Sequence, residues 1–497
     1  MSRSLMQPKP LKLFAIFCGV FVIFVLVGFV LSKKGHTPSP EHAVDALADG
    51  RTREGESELL LLIQTNPDNE ELWYVLLASL ATNPHPFPDV FKFDPSGRYL
   101  QAMNFALQII AGKPTPVPEL HPLLADIGGI LMMANQDIKA IEFHQKAERL
   151  HPDSKTRQRI LRSMKRLGWH SDFNRLMQDS IYFQSADDLL RAEYHLHKHD
   201  FLSMAQDILL HQFKNYRLSI VAASSAIGVC WLILLLHVGR SGSWPIRTIV
   251  GVPVAFILGV FSAYATLCAY EIEGLYYVFD GKQSWLVTLL YAVFGIGLRE
   301  EFLKLIFISP LLLFFRKGAP IQVLILATIG GLGFAIEENN QYYVNGGATV
   351  IGRFLTANFL HMSTTGLLGF SLVSALNDSR QWGNFFERMA YVILVHGFYD
   401  FLLMDTTFGN LSFFATFVFI LVARTHLRLT AELAGGRVYS IAPVLVFTVA
   451  LAISMGISYL MFAVEIGAMR GFIQTLLSTA SMMFVAMLFF QEFSRET

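Results

Sequence analysis

The sequence predicts an all-α fold: a polytopic helical membrane bundle of about ten spans that carries an extracytoplasmic helical-repeat domain. Three observations predict it. Of 497 residues, 53% are hydrophobic, and the mean hydropathy of +0.44 is too apolar for an ordinary soluble protein. Apolar runs of roughly 18 residues or more, the length that crosses a bilayer as helix, recur from residue 217 to 491. Between the first apolar run and those later ones lies a polar stretch, residues 35–216, patterned as helices. The formal net charge is zero, so no basic excess points to nucleic acid. Cys18, Cys230 and Cys268 all fall in apolar runs, which leaves the polar region neither a disulfide framework nor a cysteine zinc site.

In chain order, residues 1–12 hold Arg3, Lys9 and Lys12 and read as a cytoplasmic N-terminus. Residues 13–31 are apolar and lack a small-x-small cleavage pattern, so they read as an uncleaved transmembrane anchor rather than a signal peptide. Within residues 35–216, Leu124, Gly128, Leu131, Ala140, Ala147 and Pro152 fall where a helix–turn–helix repeat of about 34 residues places its packing positions. One period earlier, Pro67, Trp73, Leu76 and Leu77 match the same offsets. This resembles two or three degenerate tetratricopeptide repeats, interrupted by Asn83–Pro88 and Lys113–Pro122. Stacked pairs of that kind present a surface for a peptide or protein.

Residues 217–425 then form a membrane core and 426–497 add further spans and a cytoplasmic C-terminus. The expected spans are 219–238, 249–270, 284–315, 320–343, 354–376, 388–405, 409–423, 441–464 and 472–490, with Gly295 and Gly297 as bend points in the third. The Lys/Arg bias orients them. With the N-terminus inside, the short inner loops hold Arg240, Arg247, Arg316, Lys317, Arg380, Arg388, Arg424, Arg428 and Arg437, against Lys282, Arg353 and Arg470 outside.

The core is arranged around Gly297-Leu298-Arg299-Glu300-Glu301-Phe302-Leu303-Lys304, ionisable groups set between two charge-free apolar runs. Glu300 and Lys304 are four apart and can pair on one helix face, whereas Glu301 points about 100° away. Other spans carry Glu337-Glu338-Asn339, His361, and His396 with Asp400 one turn on. Left unpaired at mid-bilayer, Glu300, Glu301, Glu338, His361, His396 and Asp400 would together cost on the order of 15–20 kcal/mol. They are therefore expected to converge on one wet interior site. Counted from the outer loops, Glu338 and His361 come out about 8–10 Å deep, His396 about 13 Å, and Glu300 and Glu301 about 23 Å unless their long helix is tilted or bent.

Such a site suits water activation. A glutamate in a low-dielectric cavity can act as general base, and histidine can share the water or donate to an oxyanion. Metal-assisted hydrolysis uses the same residue types: Glu301, Glu338, His361 and His396 could hold Zn²⁺. Residue types leave both chemistries open. No phosphate loop, serine nucleophile elbow or HExxH is present.

Four motifs carry a resemblance. Glu300-Glu301-x-x-Lys304, Phe334-Ala335-x-x-Glu338-Asn339, His361 followed by Thr365 and Gly369, and His396-x-x-x-Asp400 occur in the order found in the PrsW family, bacterial intramembrane proteases related to the CAAX prenyl endopeptidases. The resemblance spans roughly residues 245–425. It implies an endopeptidase of the bacterial inner (plasma) membrane that cuts a membrane-associated protein near the outer face, as PrsW-like proteins do to an anti-sigma factor. By position it makes Glu300 and Glu301 the essential acids; Lys304 is a structural ion-pair partner on its spacing alone. Glu338 takes the second-motif position, which is His in the prenyl endopeptidases. His361 and His396 polarise water or stabilise the oxyanion, and Asp400 orients His396. The repeat domain and the spans after about residue 425 depart from a minimal PrsW-like protein and leave the client open. The competing readings are a non-enzymatic scaffold that binds partners through its repeats, and a proton-relay transporter, which the lack of an inverted hydropathy repeat disfavours.

Overall fold

The computed structural model describes residues 10–32, 40, 43–44, 47, 52–66, 68–82, 98–113, 120–239, 246–274, 284–343, 348–404, 412–435 and 441–495. Pro67, Asn83–Pro88 and most of Lys113–Pro122 lie outside them, as do Arg240, Lys282 and Arg437. Every described element is helical, and the chain divides into two units, Thr37–Asn215 and the remainder.

The N-terminal helix α1, Pro10–Leu31, belongs to the second, membrane-type unit. The polar unit contains α2 (Thr52–Thr65), α3 (Glu70–Thr82), α4 (Arg98–Ile110), α5 (His121–Met133), α6 (Asp137–Leu150), α7 (Ser154–Arg166), α8 (His170–Met177), α9 (Ser180–Ser185), α10 (Asp188–His197) and α11 (Phe201–Asn215). Helices adjacent in the chain pack on each other, and the apolar stripe of each supplies the core. Leu124, Leu131, Ala140 and Ala147 are buried in it, with Trp73, Leu76 and Leu77. At Gly128 a Cβ would lie 2.5 Å from the His144 ring, so only glycine lets α5 and α6 close on each other there. Asp153 and Asp187 cap α7 and α10 through the amides of Thr156 and Leu190.

The membrane-type unit continues with α12 (Leu218–Gly239), α13 (Ile246–Gly274), α14 (Trp285–Leu290), a π-helical segment Tyr291–Gly297, α15 (Leu298–Phe315), α16 (Pro320–Tyr342), α17 (Ala348–Leu355), α18 (Ala357–Asn377), α19 (Trp382–Met404), α20 (Ser412–Ala434), α21 (Pro443–Ile466), α22 (Ala468–Ser481) and α23 (Met483–Arg495). Helix α16 is apolar as far as Ile336 apart from Gln322 and Thr328, and almost wholly buried, the centre on which α12, α13 and α18 pack. Its small residues permit this. A Cβ on Gly331 would run into the His361 carbonyl, and one on Gly333 into the backbone at Phe256.

Among the described residues, seven helices are long and apolar enough to cross a membrane, or eight if the pair α22 and α23, bent by 61°, makes one span. That is fewer than the ten expected. The two that drop out, 285–315 and 382–404, are those carrying the charged motifs, which breaks their apolar count. Boundaries also move: α19 begins at Trp382 rather than 388, and α20 runs on to Ala434, taking Arg424 and Arg428 into helix. The bend expected at Gly295 and Gly297 takes the form of the π segment. A π turn adds a residue and so re-aims the side chains that follow it.

Candidate active site

Glu300, Glu301 and Lys304 leave the first turns of α15 immediately after the π segment. Two glycines press this region against α19: a Cβ on Gly297 would lie 2.8 Å from the Ile393 carbonyl and 2.9 Å from the Gly397 nitrogen. This close crossing delivers His396. From the other side, the contact of Gly331 with the His361 backbone brings α18 onto α16 and delivers His361 beside Glu338. Glu300, Glu301, His361 and His396, from three helices, are all buried.

The hydrogen bonds have a consistent direction. A carboxylate only accepts and an ammonium only donates. His361 Nε2 therefore donates to Glu338 Oε2 at 2.7 Å, while its Nδ1 accepts from Lys304 Nζ at 2.8 Å. His396 Nδ1 donates to Glu301 Oε1 at 2.7 Å. Both rings thus turn an outward N–H to a supporting carboxylate and their other nitrogen to a common centre. There Glu300 Oε2 lies 3.6 Å from His396 Nε2 and 3.9 Å from His361 Nδ1, with Asp400 Oδ2 3.4 Å from His396 Nε2.

Lys304 bridges both glutamates, at 3.2 Å from Glu300 and 3.0 Å from Glu301, and does not serve Glu300 alone. Its ammonium also lies 3.9 Å from the Phe334 ring centroid, a desolvated cation–π contact. Arg299 is accounted for separately: it pairs with Glu273 and lies over Tyr270.

The two adjacent glutamates differ in access. Glu300, Glu338 and Asp400 line a cavity of about 590 Å³ whose walls include Tyr270, Tyr291, Phe334 and Tyr342. Glu301 does not reach it. That side chain is fully buried, and its Oε1 accepts from His396, Lys304 and Thr364 Oγ1, the last at 3.0 Å. Its Oε2 has no hydrogen-bond partner among the described residues.

The depth count is corrected by this geometry. Residues expected about 10 Å apart along the membrane normal are in direct hydrogen-bond contact, Glu301 with His396. The exception for a tilted or bent helix is the case that applies: the π segment interrupts 285–315 and α19 crosses it at the two glycines.

Arg353 is also reassigned. Expected as an outer-loop cation, it is a helical residue of α17 whose guanidinium binds Glu338 Oε2 at 2.6 Å and Asn339 Oδ1 at 2.5 Å. Thr364 likewise carried no role in the sequence reading. Its signal was its place three residues beyond His361, on nearly the same helix face. Thr365 and Gly369, the family-motif neighbours, are buried in the packing, with Gly369 against Ala327 and Leu312. A further polar group lies next to Glu338: Glu337 accepts from Tyr216 and from Asn340 Nδ2 at 3.2 Å, and Tyr216 meets Tyr264 at 2.6 Å.

Whether this donor set fits a metal can be tested on its chemistry. One atom each from Glu300, His361 and His396 lies within 4.8 Å of the others, giving one oxygen and two imidazole nitrogens. That is a zinc-type set, with ligand–ligand separations close to those of a tetrahedral site. Carboxylates behind both imidazoles fix the ring tautomers so that the inner nitrogens carry lone pairs, that of His361 Nδ1 accepting from Lys304 Nζ, which an ion would have to displace. Among the described residues, Glu300, Glu301, Glu338 and Asp400 have between them two cationic partners, Lys304 and Arg353, while Arg299 at the cavity wall is held by Glu273; the excess of negative charge suits a divalent ion. The residues fit. The set differs from the sequence expectation, since Glu300 faces the centre while Glu301 and Glu338 support the rings.

Residues 246–424 match the family model described as PrsW family intramembrane metalloprotease. No curated protein and no solved structure matches the chain. The matched segment runs from α13 to α20 and includes every residue of the cluster. The chain is accordingly a multi-pass membrane protein with an intramembrane protease domain, an enzyme whose substrates are membrane proteins.

Proposed function

We propose that the protein is an endopeptidase that hydrolyses a peptide bond of a membrane-associated protein in the cavity lined by Glu300, Glu338 and Asp400. The observation that carries this reading is the convergence of two imidazoles, each backed by a carboxylate, on Glu300 at the cavity wall.

In this reading Glu300 is the general base that takes a proton from the attacking water, because it alone of the acid pair meets both the cavity and the imidazoles. Glu301 is a positioning residue: it holds His396 by Nδ1 and anchors Lys304. Glu338, itself held by Arg353, fixes His361 in the same way. His396 Nε2, between Glu300 and Asp400, is placed to pass the proton on to the leaving amine. In the alternative metal-assisted form Glu300, His361 and His396 would instead be the ligands of a Zn²⁺ ion, which when bound would supply Lewis-acid polarisation and lower the pKa of water. The base and proton-relay roles of Glu300 and His396 belong to the metal-free form. Lys304 keeps Glu301 as its partner when His361 is engaged.

The resemblance to PrsW-like proteins supports a bacterial inner (plasma) membrane protein, and the Lys/Arg bias supports cytoplasmic termini with residues 35–216 outside. The buried packing positions of α3, α5 and α6 support a tetratricopeptide-like domain that binds a peptide or protein. The client on this reading is an anti-sigma-factor-like membrane protein cut in regulated proteolysis.

Glu300→Gln tests the mechanism by keeping the shape and removing the base. Cleavage in reconstituted membranes should vanish while the fold persists; retained cleavage refutes the assignment. Purified protein should carry stoichiometric zinc that is lost in His361→Ala, and a metal-free active enzyme refutes the zinc set. Deleting residues 35–210 should impair cleavage of the native client and spare a loose model peptide.

A further inference from the structure

A second convergence of metal-type donors lies in the polar unit, remote in sequence from the membrane motifs. His170 opens α8, and Glu193 and His197 sit one turn apart on α10. One ligand atom from each lies within 4.8 Å of the other two. The His170 and His197 rings meet edge to face with centroids 4.6 Å apart.

Two contacts orient these donors inward. Asn174 Oδ1, an acceptor only, accepts a hydrogen bond from His197 Nδ1–H at 3.1 Å, so in the neutral ring Nε2 presents a bare lone pair. Lys165 Nζ binds Glu193 Oε2 at 2.8 Å and leaves Oε1 toward the histidines. In the neutral ring the result is two acceptors face to face: Glu193 Oε1 lies 3.3 Å from His197 Nε2, and that buried nitrogen makes no hydrogen bond among the described residues. The two side chains are 9% and 8% exposed, so water screens this contact poorly. Lone pair against lone pair at that range is repulsive, and a cation between them turns the repulsion into coordination. His170 is exposed and opens the cluster to solvent.

We propose that His170, Glu193 and His197 form a divalent transition-metal site of Zn²⁺ type, with water in the open position, tying α8 to α10. Two imidazoles and a carboxylate favour zinc over the oxygen-seeking Ca²⁺ and Mg²⁺. Asn174 and Lys165 play the supporting part that outer hydrogen bonds play at metal sites.

The test uses the full chain in detergent, carrying Glu300→Gln and His361→Ala to remove the donors in the membrane unit. After chelation it is titrated with Zn²⁺ against a chromogenic indicator, and with Co²⁺ for its ligand-field bands. One equivalent should bind, and His170→Ala or His197→Gln should each weaken it about 100-fold or more, while His195→Ala leaves it unchanged. Zn²⁺ should also raise the melting temperature only when all three donors are present. His170 is exposed, so its variant tests the site even if His197→Gln fails to fold. Absence of binding, or binding that survives both His170→Ala and His197→Gln, overturns the proposal. Neither readout depends on proteolysis.

Discussion

Glu301→Gln separates a positioning role from a chemical one. The glutamate accepts three hydrogen bonds on one oxygen, from His396 at 2.7 Å, Lys304 at 3.0 Å and Thr364 at 3.0 Å. Glutamine keeps the shape and one carbonyl oxygen but removes the charge that strengthens the Lys304 bond and orients the imidazole. A charged hydrogen bond contributes about 1.5–3 kcal/mol and a neutral one about 0.5–1.5, so two weakened bonds cost about 2 kcal/mol. That is less than the roughly 3–5 kcal/mol of a fully orphaned buried charge, because Lys304 keeps Glu300 at 3.2 Å. The melting temperature should drop by about 5 °C. Cleavage should drop about 100-fold, the upper range for losing a carboxylate behind a ligand or catalytic histidine. The loss should fall on kcat, since Glu301 does not line the cavity. The assay is cleavage of an internally quenched peptide carrying an apolar helix, in proteoliposomes, with Glu300→Gln in parallel. Equal abolition in both variants would place Glu301 in the chemistry itself. Unchanged kcat would reduce it to a packing residue.

Three further predictions follow from contacts outside the acid pair. Arg353→Met strips Glu338 of its guanidinium and should cost about 3 kcal/mol; combining it with Glu338→Gln should restore stability in thermal melts but not cleavage, because His361 still lacks its carboxylate. Gly331→Ala puts a methyl 2.8 Å from the His361 carbonyl carbon, an overpacking worth about 1–3 kcal/mol; it should part α16 from α18 and lower cleavage more than a surface Gly383→Ala. His144, in the polar unit, is pushed down to about 3 by burial first and by the Arg159 charge second. Its native state stays neutral while the unfolded chain takes up a proton below about pH 6.5. That stability is full above pH 6.5 and falls toward pH 3 by up to about 1.4 kcal/mol per pH unit. His144→Asn should flatten the slope in denaturant melts at pH 7, 6 and 5, and an unaltered slope refutes the attribution.

Some of this was legible in the sequence because it depends on composition and short spacing. Ionisable residues between long apolar runs must be partnered, which marked Glu300, Glu301, Glu338, His361, His396 and Asp400 before any contact was known. The i,i+4 relations of Glu300 with Lys304 and of His396 with Asp400 are fixed by the helical repeat and occur as contacts. The all-helical class followed from hydropathy alone.

Which acid faces the cavity could not be read this way. Glu300 and Glu301 are chemically identical neighbours, and only the π segment and the glycine crossing with α19 turn one to the cavity and the other to His396. Arg353 as the partner of Glu338, and Thr364 as a donor to Glu301, likewise depend on which helix faces come together. Hydropathy reports how much charge a helix must hide. Where that charge finds its partner is a matter of interhelical distance, set by small residues such as Gly331 and Gly297 that let backbones touch.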